Sequence, residues 1–294
     1  MPAEIAAQVL GSYELPGEAV FPESIGVDAA TGDAYVGSLA DGTLYRLTGA
    51  DTAELWAAGG QDGRGSVAGV KVDARGRLWA AGGNDGTLWV YDLASRALVA
   101  RLTTGARPSL VNDIAFGPHD EAYVTDSLDP ALLRADGEPL TLVRWADLDA
   151  AGVPWPAGLN LNGVVLTQDG RHVVACQTNL GRFWRVELDT GKVGEVALDG
   201  GPLEHCDGLA LSGPQLYIAV NARNLIAVAS LAEDGAQGRV HTIVRSEAFA
   251  FPTAVAVSGG RLLVVNGQLD KMGGHPRLPF TVVAVAIPED VVQP

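Results

Sequence analysis

Asp207-Gly208-Leu209-Ala210-Leu211 is a short phrase: a start residue, a small residue, then apolar residues spaced by small or polar ones. It has five relatives in the chain: Glu23-Ser24-Ile25-Gly26-Val27, Ala68-Gly69-Val70-Lys71-Val72, Asn112-Asp113-Ile114-Ala115-Phe116, Asn162-Gly163-Val164-Val165-Leu166 and Thr253-Ala254-Val255-Ala256-Val257. Their start residues are 45, 44, 50, 45 and 46 positions apart. A fixed period in the forties, filled with strand-like segments, is the signature of β-propeller blades. The expected fold is therefore all-β: a six-bladed propeller with four-stranded antiparallel blades.

The segments between the copies support that expectation. In blade one, Ala34–Gly37, Thr43–Leu47 and Glu54–Ala57 alternate as strands do, and Thr31-Gly32-Asp33 and Asp41-Gly42 supply turn chemistry. Asp85-Gly86-Thr87-Leu88 repeats Asp41-Gly42-Thr43-Leu44 one period later. The longest interval is explained by a Pro-, Gly- and Ala-rich connection from Trp145 to Leu161. Blade four's outer strand is expected at Val193–Val196. After Thr253 the chain supplies strands at Arg261–Val265 and Phe280–Val285 and then ends, one strand short of a blade. The apolar stretch within residues 5–15 is the candidate for that strand, which closes the ring and removes two open sheet edges. No segment has the apolar spacing of a long helix. The repeat runs from residue 23 to the C-terminus, so residues 1–294 read as one domain, and 47% apolar content suffices for a sizeable core.

The formal net charge of −15 argues against nucleic acid, whose phosphates need clustered Lys and Arg, and favours a cation or mere solubility. No stretch is apolar for long enough to span a membrane. Met1–Leu10 lacks the basic and apolar regions of a signal peptide. The chain as written reads as cytoplasmic, or as secreted or periplasmic if a signal peptide has been removed. A small-molecule substrate, no nucleic acid, no membrane and a monomer or weak homo-oligomer are the expected associations. Cys176 and Cys206 are the only cysteines and make no disulfide framework. Cys206 adjoins Asp207, and as a nucleophile it would need a histidine base in contact with it.

In a propeller the first strand of every blade lines the axis. The six start residues then form a ring: Glu23, Ala68, Asn112, Asn162, Asp207 and Thr253. Four of these carry side-chain oxygens of the ligating kind, two as carboxylates and two as amides. Close carboxylates repel unless a cation lies between them. All-oxygen ligands suit a hard ion, Ca²⁺ first, with Mg²⁺, Mn²⁺ or Zn²⁺ as alternatives. Asp113 is placed to orient the ligands. Each of the four is also an ordinary turn residue; their coincidence at one repeat position favours the metal reading.

Phe21-Pro22-Glu23, Val111-Asn112-Asp113-Ile114, Leu161-Asn162-Gly163-Val164 and Cys206-Asp207-Gly208-Leu209-Ala210 together resemble the senescence-marker-protein/gluconolactonase family, which includes regucalcin and sugar lactonases. Diisopropyl fluorophosphatase and the paraoxonases are more distantly similar. The resemblance spans essentially the whole chain. It implies one catalytic divalent cation on the axis, held by Glu23, Asn112, Asn162 and Asp207. It further implies hydrolysis of lactones or related esters, with Asp207, or Glu23, accepting a proton from water. The chain departs from these proteins in places. The paired histidines of paraoxonases have no counterpart, Ala68-Gly69 stands where sugar lactonases carry polar contacts, and their sugar-binding arginine has no clear counterpart, Arg107 lying only near its place. Trp155, Lys271, His275 and Arg277 are the large or charged loop residues placed to shape a pocket, or to serve as plain surface. His119, His172 and His241 read as structural or exposed. Two other readings share the architecture: a non-catalytic binding scaffold with a structural metal, and a metal-free propeller of the strictosidine-synthase type.

Overall fold

A computed structural model describes residues 1–49, 51–105 and 108–287. Arg107 lies outside the described residues. The fold is a six-bladed β-propeller of antiparallel blades. Its inner strands are Pro22–Val27, Gly69–Val72, Val111–Phe116, Leu161–Leu166, Cys206–Ser212 and Pro252–Ser258, so every copy of the phrase is an inner strand. Each inner strand touches the next and the sixth touches the first, which closes the ring around an axis. The only helices among the described residues are three single 3₁₀ turns.

The N-terminal strand Val9–Leu15 pairs with Phe280–Ala286 as the outer strand of blade six, as the missing strand required. Tyr13 locks this closure: its hydroxyl donates to the Gly49 carbonyl of blade one at 2.7 Å and accepts from Arg261 Nη2 of blade six at 2.8 Å. Tyr13→Phe removes both bonds from a buried site and should cost about 1 kcal/mol, read as a lowered denaturant midpoint at constant slope. An unchanged midpoint would show that the bonds do not hold the closure.

Two strands differ from expectation. Ala3–Ala6 continues past the closing strand and pairs in parallel with Gln237–Arg245 of blade five, so the N-terminus ties two blades. The stretch expected as blade four's outer strand stops at Glu195, and Ala197–Asp199 crosses to the same blade-five strand, also in parallel. Val196 is buried between them, so the chain turns at an apolar anchor and does not continue its own hairpin.

The core lies between blades. Faces of adjacent sheets pack on each other through clusters such as Val174, Phe183, Leu209, Ile218 and Ala227 between blades four and five. The second residue of the phrase stitches inner strands together. A Cβ on Gly69 would lie 1.9 Å from the Asn112 carbonyl oxygen, and one on Gly163 would lie 2.4 Å from the Asp207 carbonyl oxygen. In two other copies the side chain does the joining: Ser24 Oγ accepts the Val70 N–H at 3.1 Å, and Asp113 Oδ2 accepts the Val164 N–H at 3.1 Å.

Candidate metal centre

The phrase begins on a β-bulge. In blade three the pairing jumps from Val111↔Asp126 to Ile114↔Val124, leaving Asn112 and Asp113 opposite one residue. The same shift occurs at Glu23, Asn162, Asp207 and Thr253. A bulge breaks strict side-chain alternation and re-aims a side chain. Four of the five bulges carry the carboxylate and amide start residues, all buried; the fifth carries buried Thr253, whose hydroxyl donates to the Pro22 carbonyl at 3.3 Å.

The two asparagines are fixed by hydroxyls from the end of their own second strand. Asn112 Nδ2 donates to Ser127 Oγ at 3.0 Å, and Ser127 Oγ donates to the Leu161 carbonyl at 2.6 Å. Asn162 Nδ2 donates to Thr178 Oγ1 at 3.1 Å, and Thr178 Oγ1 donates to the Cys206 carbonyl at 2.7 Å. A hydroxyl has one proton. Because each is committed to a carbonyl, it must accept from the amide nitrogen, and this assigns the amide orientation. Neither hydroxyl competes for the amide oxygens. Asn221, at the corresponding place in blade five, donates from Nδ2 to Asp207 Oδ2 at 2.8 Å.

The carboxylates feel one another. Burial, then the charges of Asp207 and Asp113, hold the Glu23 carboxyl well above the usual range, while Lys71 pulls the other way. No hydrogen bond from a described residue reaches the Glu23 carboxyl. Asp207 is pushed up to about 7 by burial, with Asp113 adding; hydrogen bonds from Asn221 and Asn162 oppose the rise. The Glu23 oxygens are not fully enclosed, so solvent touches them, and at 7% exposure burial still favours a proton or a cation there. The charge of Asp207 thus reaches Glu23, Asn162 bonds Asp207, and Asn112 occupies the equivalent position of blade three.

The donor set fits a hard cation. The candidate set is two carboxylates and two amides; among the described residues no three His, Cys, Asp or Glu side chains gather as a metal cluster. Burial with Cys206 beside it pushes the Cys176 thiol well up, and Cys176 Sγ donates to the Asp207 carbonyl at 3.0 Å. Cys206 is fully buried beside it, so this pair is core and packs under the ring.

The fold is shared with a calcium-binding protein. Regucalcin from Agrobacterium tumefaciens matches 98% of this chain over 97% of its own, with TM-score 0.68 and 18% identity. Virginiamycin B lyase from Staphylococcus aureus matches 94% of this chain over 98% of its own (TM-score 0.62, 11% identity). The major Malassezia sympodialis allergen Mala s 1 matches 93% over 95% (TM-score 0.70, 14% identity). No protein-family model and no curated protein sequence matches the chain. At these identities the likeness establishes the architecture. No helix among the described residues is long and apolar enough to cross a membrane.

The loop residues expected to shape a pocket are dispersed. Trp155 Nε1 donates to the Leu128 carbonyl at 3.3 Å, and its ring packs on the core between blades three and four. Gln268 clasps both backbone groups of Arg277, closing a loop that carries Lys271 and His275 on its exposed part. Lys271 pairs with Asp270 at 2.7 Å. His172 and His241 are held in strands by Asp169 and by Gln215, and His119 is exposed in a turn. Sequence reasoning missed Lys71, whose Nζ lies 2.6 Å from Asp113 Oδ1. The signal was present: Lys71 is the one charged residue at the fourth position of the phrase.

Proposed function

We propose that this propeller binds one divalent cation, Ca²⁺ first, through Glu23, Asn112, Asn162 and Asp207, and hydrolyses lactones or related esters at that site. The observation that carries the reading is the Glu23 carboxyl. It is buried, receives no hydrogen bond from a described residue, and is opposed by the charge of Asp207. A cation shared by the two acids relieves that conflict, and amides oriented by Ser127 and Thr178 are free to offer oxygens beside it. The regucalcin likeness, in a protein described as calcium-binding, supports the choice of ion.

When bound, the ion would supply Lewis-acid polarisation of a substrate carbonyl. Asp207 would accept the proton of an attacking water. Asn221 holds the Asp207 carboxylate through Oδ2, and Asn162 also bonds this carboxylate, so both keep it oriented. Asn112 and Asn162 keep their geometry throughout, because their amide nitrogens are tied to hydroxyls within the blade wall. Preorganised polar groups of this kind need no rearrangement as the reaction proceeds.

Turnover of aliphatic lactones and aryl esters, measured with Ca²⁺ and with chelator, tests the reading. Asp207→Asn should lower kcat about a hundredfold or more, the usual worth of a general base. Equal turnover by the Asn variant would remove the catalytic role. The near-complete burial of the ring favours a second reading, a cation that only pins the blades. In that case chelation lowers the melting temperature although no substrate is turned over.

A further inference from the structure

The fourth residue of the phrase is Gly26, Lys71, Ala115, Val165, Ala210 or Ala256, so only blade two places a charge there. The fifth residue is large and apolar in every blade: Val27, Val72, Phe116, Leu166, Leu211 and Val257. These six surround a cavity of about 330 Å³ at the far end of the axis, and Lys71 is its single charged lining residue. The ammonium does not stay at that mouth. It donates to Asp113 Oδ1 at 2.6 Å, and Asp113 Oδ2 accepts the Val164 N–H at 3.1 Å. One ion pair therefore spans blades two, three and four. Asp113 is buried and directly follows Asn112. The charged groups that act on this pair are Glu23 and Asp207, and both lie in the ring.

We propose that Lys71 is a tethered cation that sets the charge of the ring for a divalent ion. With Glu23, Asp113 and Asp207 ionised the site carries three negative charges; Lys71 leaves two, which one divalent cation balances. This rests on the metal reading above. A fixed ammonium repels a trivalent ion more than a divalent one, because the Coulomb term scales with the guest charge. Lys71 therefore acts as a positioning and selectivity residue, holding Asp113 and discriminating by charge.

Titration of Ca²⁺ and Tb³⁺ by calorimetry into wild type, Lys71→Met, Asp113→Asn and the double variant tests this. Lys71→Met should tighten Tb³⁺ about tenfold or more, and Ca²⁺ by less. Asp113→Asn leaves the ammonium unpaired and should weaken both ions, Tb³⁺ the more strongly. The double variant should return the Tb³⁺-to-Ca²⁺ affinity ratio close to wild type. If Lys71→Met does not fold, the ratio in Asp113→Asn carries the test. A ratio that is the same in every folded variant overturns the proposal. If wild type binds neither ion but Lys71→Met binds one, Lys71 is itself the resident cation; its charge-setting role then stands and the metal reading of the native protein fails. If no folded variant binds either ion, both are overturned.

Discussion

Gly69→Ala is expected to prevent the propeller from closing properly. The added Cβ would stand 1.9 Å from the Asn112 carbonyl oxygen and 3.1 Å from the Ala81 side chain. Real carbon–oxygen contacts do not approach that distance, so a backbone must move. The neighbour is a rigid inner strand and not the end of a flexible side chain, so relief means parting blades two and three along the axis. Blade two packs on blade three through Trp79, Ala81, Leu88, Val90, Ile114 and Val124, and those contacts loosen together. An overpacked core of this kind costs about 3 kcal/mol or more. The carbonyl concerned belongs to Asn112, so metal affinity should fall with stability. Gly194→Ala is the control: nothing lies within 4 Å of its Cβ and its φ is not in the left-handed region. That change should alter stability by no more than about 0.5 kcal/mol. Urea denaturation of the two variants decides the matter. Equal midpoints would mean that the inner strands can slide apart at little cost, and that the close approach of Gly69 does not limit the fold.

The glycine shows where the sequence was legible and where it was not. The phrase reads as start residue, small residue, apolar alternation, and its period yields blade number and strand order. The closing strand follows from a missing partner, and Val9–Leu15 fills it. The reason for the small residue was not legible. It depends on the distance between strands from different blades, which local pattern does not encode. The bulge was hidden for a related reason: a register shift is a property of two strands, and one strand's alternation does not reveal it. The four carboxylate and amide start residues were visible as broken repeat symmetry. Their geometry depends on Ser127, Thr178 and Asn221, which sit at the end of second strands and look like ordinary turn residues. The Ala3–Ala6 and Ala197–Asp199 pairings were missed because parallel additions to an outer edge leave no turn signal between the partners. Lys71 was legible by the same broken symmetry that singled out Asp207, applied one position further along the repeat.

In chelator, the melting temperature should fall as pH rises from about 5 to about 8. Asp207 has an ordinary value of 3.8 and is pushed up to about 7 in the fold, chiefly by burial. A carboxyl raised on folding binds its proton more tightly in the native state than in the unfolded chain. Its stabilising contribution is therefore complete below pH 4, is lost as pH climbs toward 7, and does not return above that. Glu23 is raised by the same causes and adds in the same direction. The loss due to Asp207 between pH 5 and 8 is on the order of 3 kcal/mol. Saturating Ca²⁺ should remove this slope, because a bound cation holds both acids ionised and affinity improves as competing protons leave. Asp207→Asn should flatten the chelated profile by the Asp207 share, leaving that of Glu23, and should lose most of the Ca²⁺-dependent gain. The comparison of wild type with Asp207→Asn cancels the titration of distant groups such as His241 and Asp169. A chelated wild-type profile that is flat or rises over this window, and matches the variant, would show that Asp207 is not a buried acid in strained company. The ring would then lose the repulsion that calls for a cation.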